Sequence, residues 1–505
     1  MPTVVCDLMS SPAVTCEAGT SLALAAQVMR EAGIGSIIVT ERGKVSGILT
    51  ERDLLRAAAA ATTAPSESVE LWMTANPDVL GPDEEVGAAW SSLAHHNYRH
   101  LPVVDGHELV GVVSLRDLMG LARLRPADEH GTEIPAGLEG VVAAETEIGD
   151  VRGEEGFFHY RQYSAVELAA RRSFEDVWYL LLEGEFPDTG QARAFAAEVA
   201  ELRALPGGLA DMLPEVATLG SPFEVLRTAI SLLGAELGWR PTHDIDGAEL
   251  RAQTLRLCSV VPTIMAAAYN LGNDRAVVEP RADLSSAANY LWMVTGREPP
   301  PLYARAVEQY QILTIDHGFN ASTFTARVIT STGADLAAAV CGAVGALSGP
   351  LHGGAPSRAL DMLDEIGCAE RADGWLRGAV ERGDRVMGFG HRVYKTDDPR
   401  SIFLRDVSRS LGGPLVELAN KVERTAVDVL AEMKPGRRLF TNVEFYAGVV
   451  MHTCGLPREM FTPTFAAGRV IGWSAHVIEQ AAHNRLIRPS ALYTGAAPPV
   501  PVPDP

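Results

Sequence analysis

Cysteine is scarce in this sequence, and long apolar runs are absent. Only 6 of the 505 residues are cysteine, and they lie far apart, with no Cys-x-x-Cys pair and no Cys/His spacing that suits zinc. Isolated cysteines of this kind are typical of reduced thiols in a cytoplasmic protein. Apolar stretches such as residues 336–351 are interrupted by Gly and Ser and fall short of the roughly 20 residues that cross a bilayer. The chain also begins without the basic and apolar segments of a signal peptide. We therefore expect a cytoplasmic protein with no metal site and no membrane contact.

Positive charge is scarce as well. Lys and Arg together number 43 against 64 Asp and Glu, which gives a formal net charge of -21 at pH 7. A chain this acidic repels the phosphate backbone of nucleic acids, so we expect no nucleic-acid partner. An anionic small molecule would need a local group of basic residues. The length predicts two to four domains, each able to bury its own core.

The first part of the chain contains an internal repeat. GILTERDLL at 47–55 recurs as GVVSLRDLM at 111–119, which is 64 residues later. Each copy has the pattern of a helix, two strands and a second helix, and so predicts an α+β unit. The repeat resembles the tandem cystathionine β-synthase-type (CBS) module, and we assign residues 1–125 to it as a regulatory module.

Each copy also carries a hydroxyl and a carboxylate three residues apart, at a predicted turn from strand to helix. These residues are Thr50 and Asp53 in the first copy, and Ser114 and Asp117 in the second. Such pairs can bind ribose hydroxyls while the helix N-terminus binds phosphate, and the resemblance implies an adenine nucleotide, ATP or AMP, as an allosteric ligand. The same residues can equally serve as helix caps, so both interpretations stay open.

Acidic residues mark the boundary after the repeats. Residues 126–155 contain nine Asp or Glu and one Arg. We predict a linker over 126–136, a second region over 137–495 and a Pro-rich tail over 496–505.

The second region has the Ala- and Leu-rich spacing of helices from residue 164 onward, with a small strand pair near Gly153 to Tyr160. The expected fold class is therefore mainly α, with an N-terminal α+β module.

Three histidines stand in unusual sequence contexts. They are His317 in DHGFNAST, His352 in GPLHGGAPS and His391 in MGFGHRVYK. Glycine destabilises helices, so its use beside a histidine suggests that the backbone approaches a ligand closely. A single such histidine is more often structural, but three together favour a functional site.

A basic group lies around His391. Residues 385–405 contain five Lys or Arg and two Asp, a net charge of +3, and include Arg400. Arg469 and Arg488 follow in apolar or Gly-containing sequence. Because a guanidinium binds a carboxylate through paired N–H donors, several of these arginines could hold a dicarboxylate.

Eight segments of the second region resemble citrate synthases, in the order of that family. The resemblance covers about residues 137–495 and implies a helical enzyme with a small domain at about 350–450. It implies an acyltransferase that condenses acetyl-CoA with oxaloacetate and water to give citrate and CoA, a step of the tricarboxylic acid cycle. It also implies a homodimer or higher homo-oligomer and no required cofactor. The segments are GLEGVVAAETEI, YRQYSAVELA, LRTAISLLG, HGFNASTFTAR, GPLHGGAPSRA, MGFGHRVYKTDDPR, NVEFYAG and FTPTFAAGRVIGW.

The resemblance also implies roles for individual residues. His352 would donate a hydrogen bond to the thioester oxygen, and His391 would polarise the ketone of oxaloacetate. The residues implied to bind oxaloacetate are His317, Asn320, Arg400, Arg469 and, from the other subunit, Arg488. Those implied to bind CoA are Met387, Gly388, Phe389, Gly390, Lys395 and Arg438.

One position departs from the family at the expected catalytic base. The family usually has Asn-Val-Asp-Phe where this chain has Asn442, Val443, Glu444 and Phe445. The carboxylate is kept but lies one methylene farther from the backbone, and a misplacement of about 1 Å can cost on the order of 100-fold in rate. Because the flanking motifs are intact, we predict that the backbone compensates and that Glu444 is the base.

Two other functions stay open from the sequence. A 2-methylcitrate synthase would use propionyl-CoA with the same catalytic residues, and the extra methylene is worth only about 1–3 kcal/mol of discrimination. A regulatory protein that senses ligands without turnover would explain the substituted base and the appended repeats.

Overall fold

A computed structural model describes most of the chain, and it separates into two compact units. The first unit comprises residues 1–139 with 491–505, and the second comprises residues 140–490. The predicted Pro-rich tail and all of the predicted linker except residue 136 lie outside the described residues. Those residues are 4–60, 66–84, 100–106, 108–114, 136–138, 140–349, 352, 356–390, 394, 396–434, 439–491 and 495.

The first unit is an α+β structure built from the two repeats. In the four-stranded sheet β1-β2-β3-β4, β1 pairs with β2 in parallel and the other pairs are antiparallel, while β5 and β6 form an antiparallel pair. Its elements are β1 (Thr15–Glu17), α1 (Leu22–Ala32), β2 (Ser36–Glu41), β3 (Lys44–Thr50), α2 (Glu51–Ala60), β4 (Thr74–Ala75), β5 (His100–Asp105) and β6 (Glu108–Ser114).

The internal repeat of the sequence is visible in the strand pairing. The register of β2 on β3 shifts between Val39 and Thr40, and that of β5 on β6 shifts 64 residues later, between Val103 and Val104. The first segment of each repeat also pairs with a strand of the other repeat. Thr74 of the second copy pairs with β3, and Ser10 of the first copy pairs with β6. The predicted α+β repeat is therefore confirmed.

The second unit is almost entirely helical. Near its start, β7 (Gly149–Arg152), β8 (Phe157–Tyr160) and β9 (Tyr163–Ser164) form an antiparallel sheet, one strand larger than the predicted pair. The helices are α3 (Ala165–Arg171), α4 (Phe174–Glu183), α5 (Thr189–Glu201), α6 (Gly207–Val216), α7 (Pro222–Glu236), α8 (Gly247–Gly272), α9 (Ser286–Thr295), α10 (Pro301–Thr314), α11 (Ala321–Ser331), α12 (Leu336–Leu347), α13 (Pro356–Ile366), α14 (Ala372–Glu381), α15 (Pro399–Leu411), α16 (Pro414–Met433), α17 (Val443–Thr453) and α18 (Phe461–Ala482).

Local sequence signals explain where many of these helices begin. Ser221 and Glu224 form a capping box at α7, with Pro222 at the first helical position. Asp398 caps α15 by accepting from the Arg400 N–H, just before Pro399. These residues satisfy backbone N–H groups that have no partner within the helix.

Helix α18 runs through the core of the second unit and is buried along most of its length. Two of its residues, Gly468 and Gly472, lie against the end of α10. A side chain at 468 would come within 2.8 Å of the Gln311 carbonyl oxygen, and one at 472 would clash with the Ile315 carbonyl oxygen. This close approach requires glycine, and it brings α18 side chains to the segment that follows α10.

The fold class predicted from the sequence, mainly α with an N-terminal α+β module, is confirmed. Among the described residues, no helix is long and apolar enough to cross a membrane. All six cysteines are free thiols.

Candidate active site

Arg469 reaches the interior of the second unit from α18. Its side chain is 2% exposed, and its Nε donates a hydrogen bond of 2.7 Å to the Thr314 carbonyl oxygen at the end of α10. Burial lowers the pKa of this guanidinium, and the nearby Asp316 carboxylate only partly offsets that effect. No carboxylate lies within ion-pairing distance of Arg469 in the described part of the chain.

The other buried arginines have partners that account for their burial. Arg327 forms an ion pair with Glu479, Arg400 forms one with Asp398, and Arg203 donates to backbone carbonyls. A buried charge without a compensating group is costly, so a positive charge such as that of Arg469 is suited to an anionic ligand.

His317 follows α10 and lies close to a second predicted arginine. Its Nε2 is 2.9 Å from the hydroxyl of Tyr394, and the ring of Tyr394 lies 5.7 Å below the guanidinium of Arg400. The ring of Phe158 packs against His317, with centroids 5.6 Å apart. Tyr394, which no sequence pattern singled out, therefore links His317 to Arg400.

Asp316, beside His317, is held in a buried ionised state. It is 1% exposed, and its carboxylate accepts from the Gly318 N–H at 3.0 Å and contacts His476 Nε2 at 3.2 Å. Burial raises the pKa of the Asp316 carboxyl, but His476 and Arg469 outweigh it, so the net pKa lies below its ordinary value. This carboxylate orients His476 and adds negative charge near Arg469.

His352 is tied to the N-terminus of α11. The Ser322 hydroxyl lies 2.8 Å from His352 Nε2, and the backbone N–H of Ser322 donates to the same nitrogen at 3.3 Å. Because an N–H can only donate, Nε2 carries a lone pair and the proton of the neutral ring lies on Nδ1. Burial, followed by the charge of Arg469, lowers the pKa of His352 to about 4. His352 is therefore a neutral hydrogen-bond donor at pH 7.

Asn320 serves as the N-cap of α11. Its Oδ1 accepts from the backbone N–H groups of Ser322 and Thr323, both at 3.1 Å, and lies 2.7 Å from the Ser322 hydroxyl. The indole N–H of Trp473 donates to the same hydroxyl at 3.1 Å. Asn320 and Trp473 thus hold the serine that contacts His352.

Glu444 lies in the first turn of α17, with its carboxyl group buried. Asn442 caps the helix by accepting from the Glu444 N–H at 3.0 Å. Burial raises the pKa of the Glu444 carboxyl to about 7, against an opposing effect of Arg400 and a smaller raising effect of Asp398. Its Oε2 has no hydrogen-bond partner among the described residues. A carboxylate with a pKa near 7 is suited to accept a proton at neutral pH.

Arg400 is held in a two-point contact with Asp398. Nε donates to one carboxylate oxygen at 3.0 Å and Nη2 to the other at 2.8 Å. Asp398 also accepts from the Val443 N–H at 3.1 Å, which joins the start of α15 to the start of α17. This carboxylate fixes the position of Arg400 beside Glu444, and it raises the pKa of the guanidinium against the lowering effect of burial.

The loop predicted to bind CoA is fixed to the segment that precedes Glu444. Gly388 and Gly390 both have positive φ, and a side chain at 388 would clash with Phe445. The Gly390 N–H donates to the Phe440 carbonyl oxygen, and the Asn442 N–H donates to the Gly388 carbonyl oxygen. The Asn442 side-chain amide donates to the Gly390 carbonyl oxygen, and all three distances are 2.8–3.0 Å. The loop and the base are therefore parts of one local structure.

Several predicted residues cannot be placed in this site. Arg488 is exposed in the segment after α18, which leaves its predicted role in another subunit's site as a prediction. The positions that lie outside the described residues are His391, Lys395, Arg438 and Asp117.

In the first unit, Thr50 and Asp53 contact each other. Asp53 accepts from the Thr50 N–H at 2.9 Å and from the Thr50 hydroxyl at 2.7 Å, and it forms an ion pair with Arg56. Ser114 ends β6 opposite His100. The contact between Thr50 and Asp53 is compatible with the capping interpretation, and both capping and nucleotide binding stay predictions.

The described residues contain no cluster of His, Cys, Asp and Glu that could hold a metal ion. Sequence reasoning did not single out several groups that contact the predicted site residues or their neighbours. These groups are Asp316, Ser322, Tyr394, Asp398, Asn442, Trp473 and His476. For Asp398 the signal was available, since an Asp directly before Pro is typical of a helix start.

Comparison with known proteins gives consistent matches over the second unit. The family described as citrate synthase, C-terminal domain, matches residues 137–490, and two CBS domains match residues 5–60 and 68–123. The citrate synthase of Mycolicibacterium smegmatis is 40% identical over 374 residues, which cover 73% of this chain and 97% of that protein.

Two further matches bear on the substrates. The 2-methylcitrate synthase of Shewanella oneidensis is 36% identical over 364 residues, covering 72% of this chain and 95% of that protein. A solved structure of citrate synthase from Thermoplasma acidophilum, in a ternary complex with carboxymethyl coenzyme A and oxaloacetate, matches with a TM-score of 0.68 and 28% identity. That match covers 74% of this chain and 98% of the other.

Proposed function

Because this chain belongs to the citrate synthase family and is an acyltransferase, we propose that it condenses acetyl-CoA with oxaloacetate and water to give citrate and CoA. The observation that carries the proposal is Glu444, a buried carboxyl group with a pKa of about 7 beside Arg400. The methyl group of a thioester is a weak carbon acid, so its deprotonation needs a positioned base and a donor for the developing oxyanion.

The described residues supply both groups. Glu444 accepts the proton from the methyl group, and Nδ1–H of neutral His352 donates a hydrogen bond to the thioester oxygen, which stabilises the resulting enolate. The enolate carbon then attacks the ketone carbon of oxaloacetate and the thioester carbonyl re-forms. The new alkoxide takes up one proton, which balances the proton that Glu444 removed, and the product is citryl-CoA. Water hydrolyses the thioester, and CoA leaves as its thiol.

Oxaloacetate carries two carboxylates, which suit the cationic residues of the site. Arg469 is buried and forms no ion pair with any described residue, and Arg400 is oriented by Asp398. His317 contacts the hydroxyl of Tyr394, whose ring lies 5.7 Å from the guanidinium of Arg400. The carbonyl-polarising role of His391 and the phosphate contacts of Lys395 and Arg438 belong to the same proposal, on the strength of the family motifs.

The acyl substrate is tested by comparing two thioesters. The similarity to a 2-methylcitrate synthase makes propionyl-CoA the second candidate. Steady-state rates with acetyl-CoA and propionyl-CoA, with the product identified by mass spectrometry, separate the two functions. A higher kcat/KM for propionyl-CoA would replace the proposed substrate. No CoA release with either thioester would favour a ligand-sensing regulatory protein.

We further propose that an adenine nucleotide bound by the CBS pair regulates the enzyme. The tandem repeat and its exchanged strands support a nucleotide-sensing module. Regulation requires that the nucleotide bind two states of the protein with different affinity. Calorimetry and kinetics of the full chain with ATP and AMP test this. Absence of binding, or rates indifferent to a bound nucleotide, would contradict it.

The proposed assembly is a cytoplasmic homodimer or higher homo-oligomer. Arg488 is exposed in the single chain, as expected of a residue that completes a neighbour's site. Mixing Arg488→Ala chains with Glu444→Gln chains tests this, because only hybrid dimers would contain one intact site. Mixtures that gain no activity over the separate variants would contradict the shared site.

A further inference from the structure

Tyr310 lies on α10 with a buried hydroxyl that makes no hydrogen bond to any described residue. The buried hydroxyls of Tyr160, Tyr290 and Tyr446 all have partners: the Ile312 carbonyl, the Thr464 hydroxyl and the Glu423 carboxylate, respectively. A buried hydroxyl without a partner destabilises the fold, and phenylalanine would fill the same space without that cost. Such a group calls for a functional explanation.

A second unpaired polar atom lies on the neighbouring helix. Oε2 of Glu444 is buried and has no hydrogen-bond partner among the described residues, and α17 packs against α10. After burial itself, the Glu444 charge is the largest influence that raises the pKa of the Tyr310 hydroxyl. A buried donor without an acceptor and a buried acceptor without a donor therefore lie on two helices that pack against each other.

The other charged groups around Glu444 are bonded to partners other than its Oε2. From α15, Arg400 and Asp398 act on the Glu444 charge and pair with each other. Arg469 of α18 acts on Tyr310 and bonds to a backbone carbonyl. On α16, Glu423 is bonded to Thr441 and Tyr446.

Helix α13 also packs against α17, but its charged residues are exposed. Those residues are Arg358, Asp361, Asp364 and Glu365.

We propose that Tyr310 is a positioning residue for Glu444, and that its hydroxyl donates to Oε2 across one bound water molecule. A water with two polar partners suits a buried gap that is too wide for a direct hydrogen bond. Glutamate has one more rotatable bond than aspartate, so a donor on α10 restricts where its carboxylate can lie. The same donor favours the ionised base.

The test is the pH dependence of kcat/KM in Tyr310→Phe, with acetyl-CoA and oxaloacetate. Loss of the donor makes the carboxylate less stable, so Glu444 takes up its proton at higher pH. We expect the acid limb, the part of the profile in which kcat/KM falls as the pH decreases, to move up by about one pH unit. The kcat should be lower and the KM values unchanged. An unchanged limb, with or without a loss of kcat, would overturn the proposal.

Tyr290→Phe is the matched control. It also removes a buried hydroxyl, one bonded to Thr464, so it should lower the melting temperature and leave the acid limb in place. If Tyr310→Phe fails to fold, 3-fluorotyrosine at position 310 keeps the hydroxyl and makes it a stronger donor. The limb should then move to lower pH, and no movement would contradict the role.

This inference rests on the proposed base role of Glu444, and the two can fail separately. If wild type releases no CoA, or Glu444→Gln is as active as wild type, the proposed function fails. If wild type is active, Glu444→Gln is inactive and Tyr310→Phe keeps the wild-type limb, only the inference about Tyr310 fails.

Discussion

The Ser322 hydroxyl lies 2.8 Å from Nε2 of His352, although the two residues are 30 positions apart in the chain. The backbone N–H of Ser322 donates to the same nitrogen, and because an N–H can only donate, this contact assigns the proton of the neutral ring to Nδ1. His352 can then present Nδ1–H to a ligand without being charged, since its pKa is lowered to about 4.

Removing that hydroxyl should impair catalysis more than binding. In Ser322→Ala the backbone contact remains, but the ring loses one of its two fixed contacts. We expect kcat to fall about tenfold, the loss of one hydrogen bond of roughly 1.4 kcal/mol, with KM values nearly unchanged. Steady-state kinetics measure this. An increase in KM at constant kcat would show that Ser322 does not act through His352.

The pH dependence of kcat/KM should show the ionisation of Glu444. As a base it must be ionised, so kcat/KM should fall as the pH decreases through about 7. His352, with a pKa of about 4, stays neutral over this range and should contribute no limb. Initial rates between pH 5.5 and 9 in buffers of constant ionic strength measure the profile. A flat profile down to pH 5.5 would exclude this carboxyl as the base.

The same carboxyl should reduce stability at alkaline pH. Its pKa is higher in the folded protein than in the unfolded chain, so it stabilises the fold below about pH 4.5, and that contribution is lost as the pH rises through about 7. Glu444→Gln lacks this titration, so its free energy of unfolding at pH 8 should exceed that of wild type by about 1–3 kcal/mol, with a higher melting temperature and a smaller difference at pH 5. Thermal unfolding at both pH values checks this, and a pH-independent difference would count against a buried ionised group.

Two buried arginines should respond differently to substitution. Arg469→Leu removes a cation that forms no ion pair with any described residue, so we expect the variant to fold and to raise the KM for oxaloacetate about 10- to 100-fold. Arg327→Leu is the control, because it leaves the Glu479 carboxylate unpaired and should lower the melting temperature instead. Kinetics and thermal unfolding of both variants separate binding from stability. An unchanged KM in Arg469→Leu would remove this residue from the oxaloacetate site.

Much of the fold and of the charged site could be predicted from the sequence. The 64-residue repeat reappears as matching register shifts at Val39 and Val103, because residues in equivalent copies have the same local preferences. Helix starts such as Ser221 follow from capping rules that involve only neighbouring residues. Glu444 and Arg400 lie in recognisable motifs, and the structure brings them close together.

The groups that orient the site could not be predicted in this way. Tyr394 contacts His317 across 77 residues of sequence, and His476 contacts Asp316 across 160. These pairs depend on how α10, α11 and α18 pack, which no local pattern specifies. Tyr310 is similar, because a tyrosine on a buried helix face is usually a core residue, and only its missing partner distinguishes it.

The most direct test of the account is the release of CoA from acetyl-CoA by wild type and by Glu444→Gln, measured with and without oxaloacetate. Glutamine keeps the size of the side chain and cannot accept the proton. We predict oxaloacetate-dependent CoA release by wild type and a loss of roughly 100-fold or more in kcat for the variant, the usual contribution of a general base. Wild-type turnover by Glu444→Gln would contradict the central claim that this carboxylate is the base.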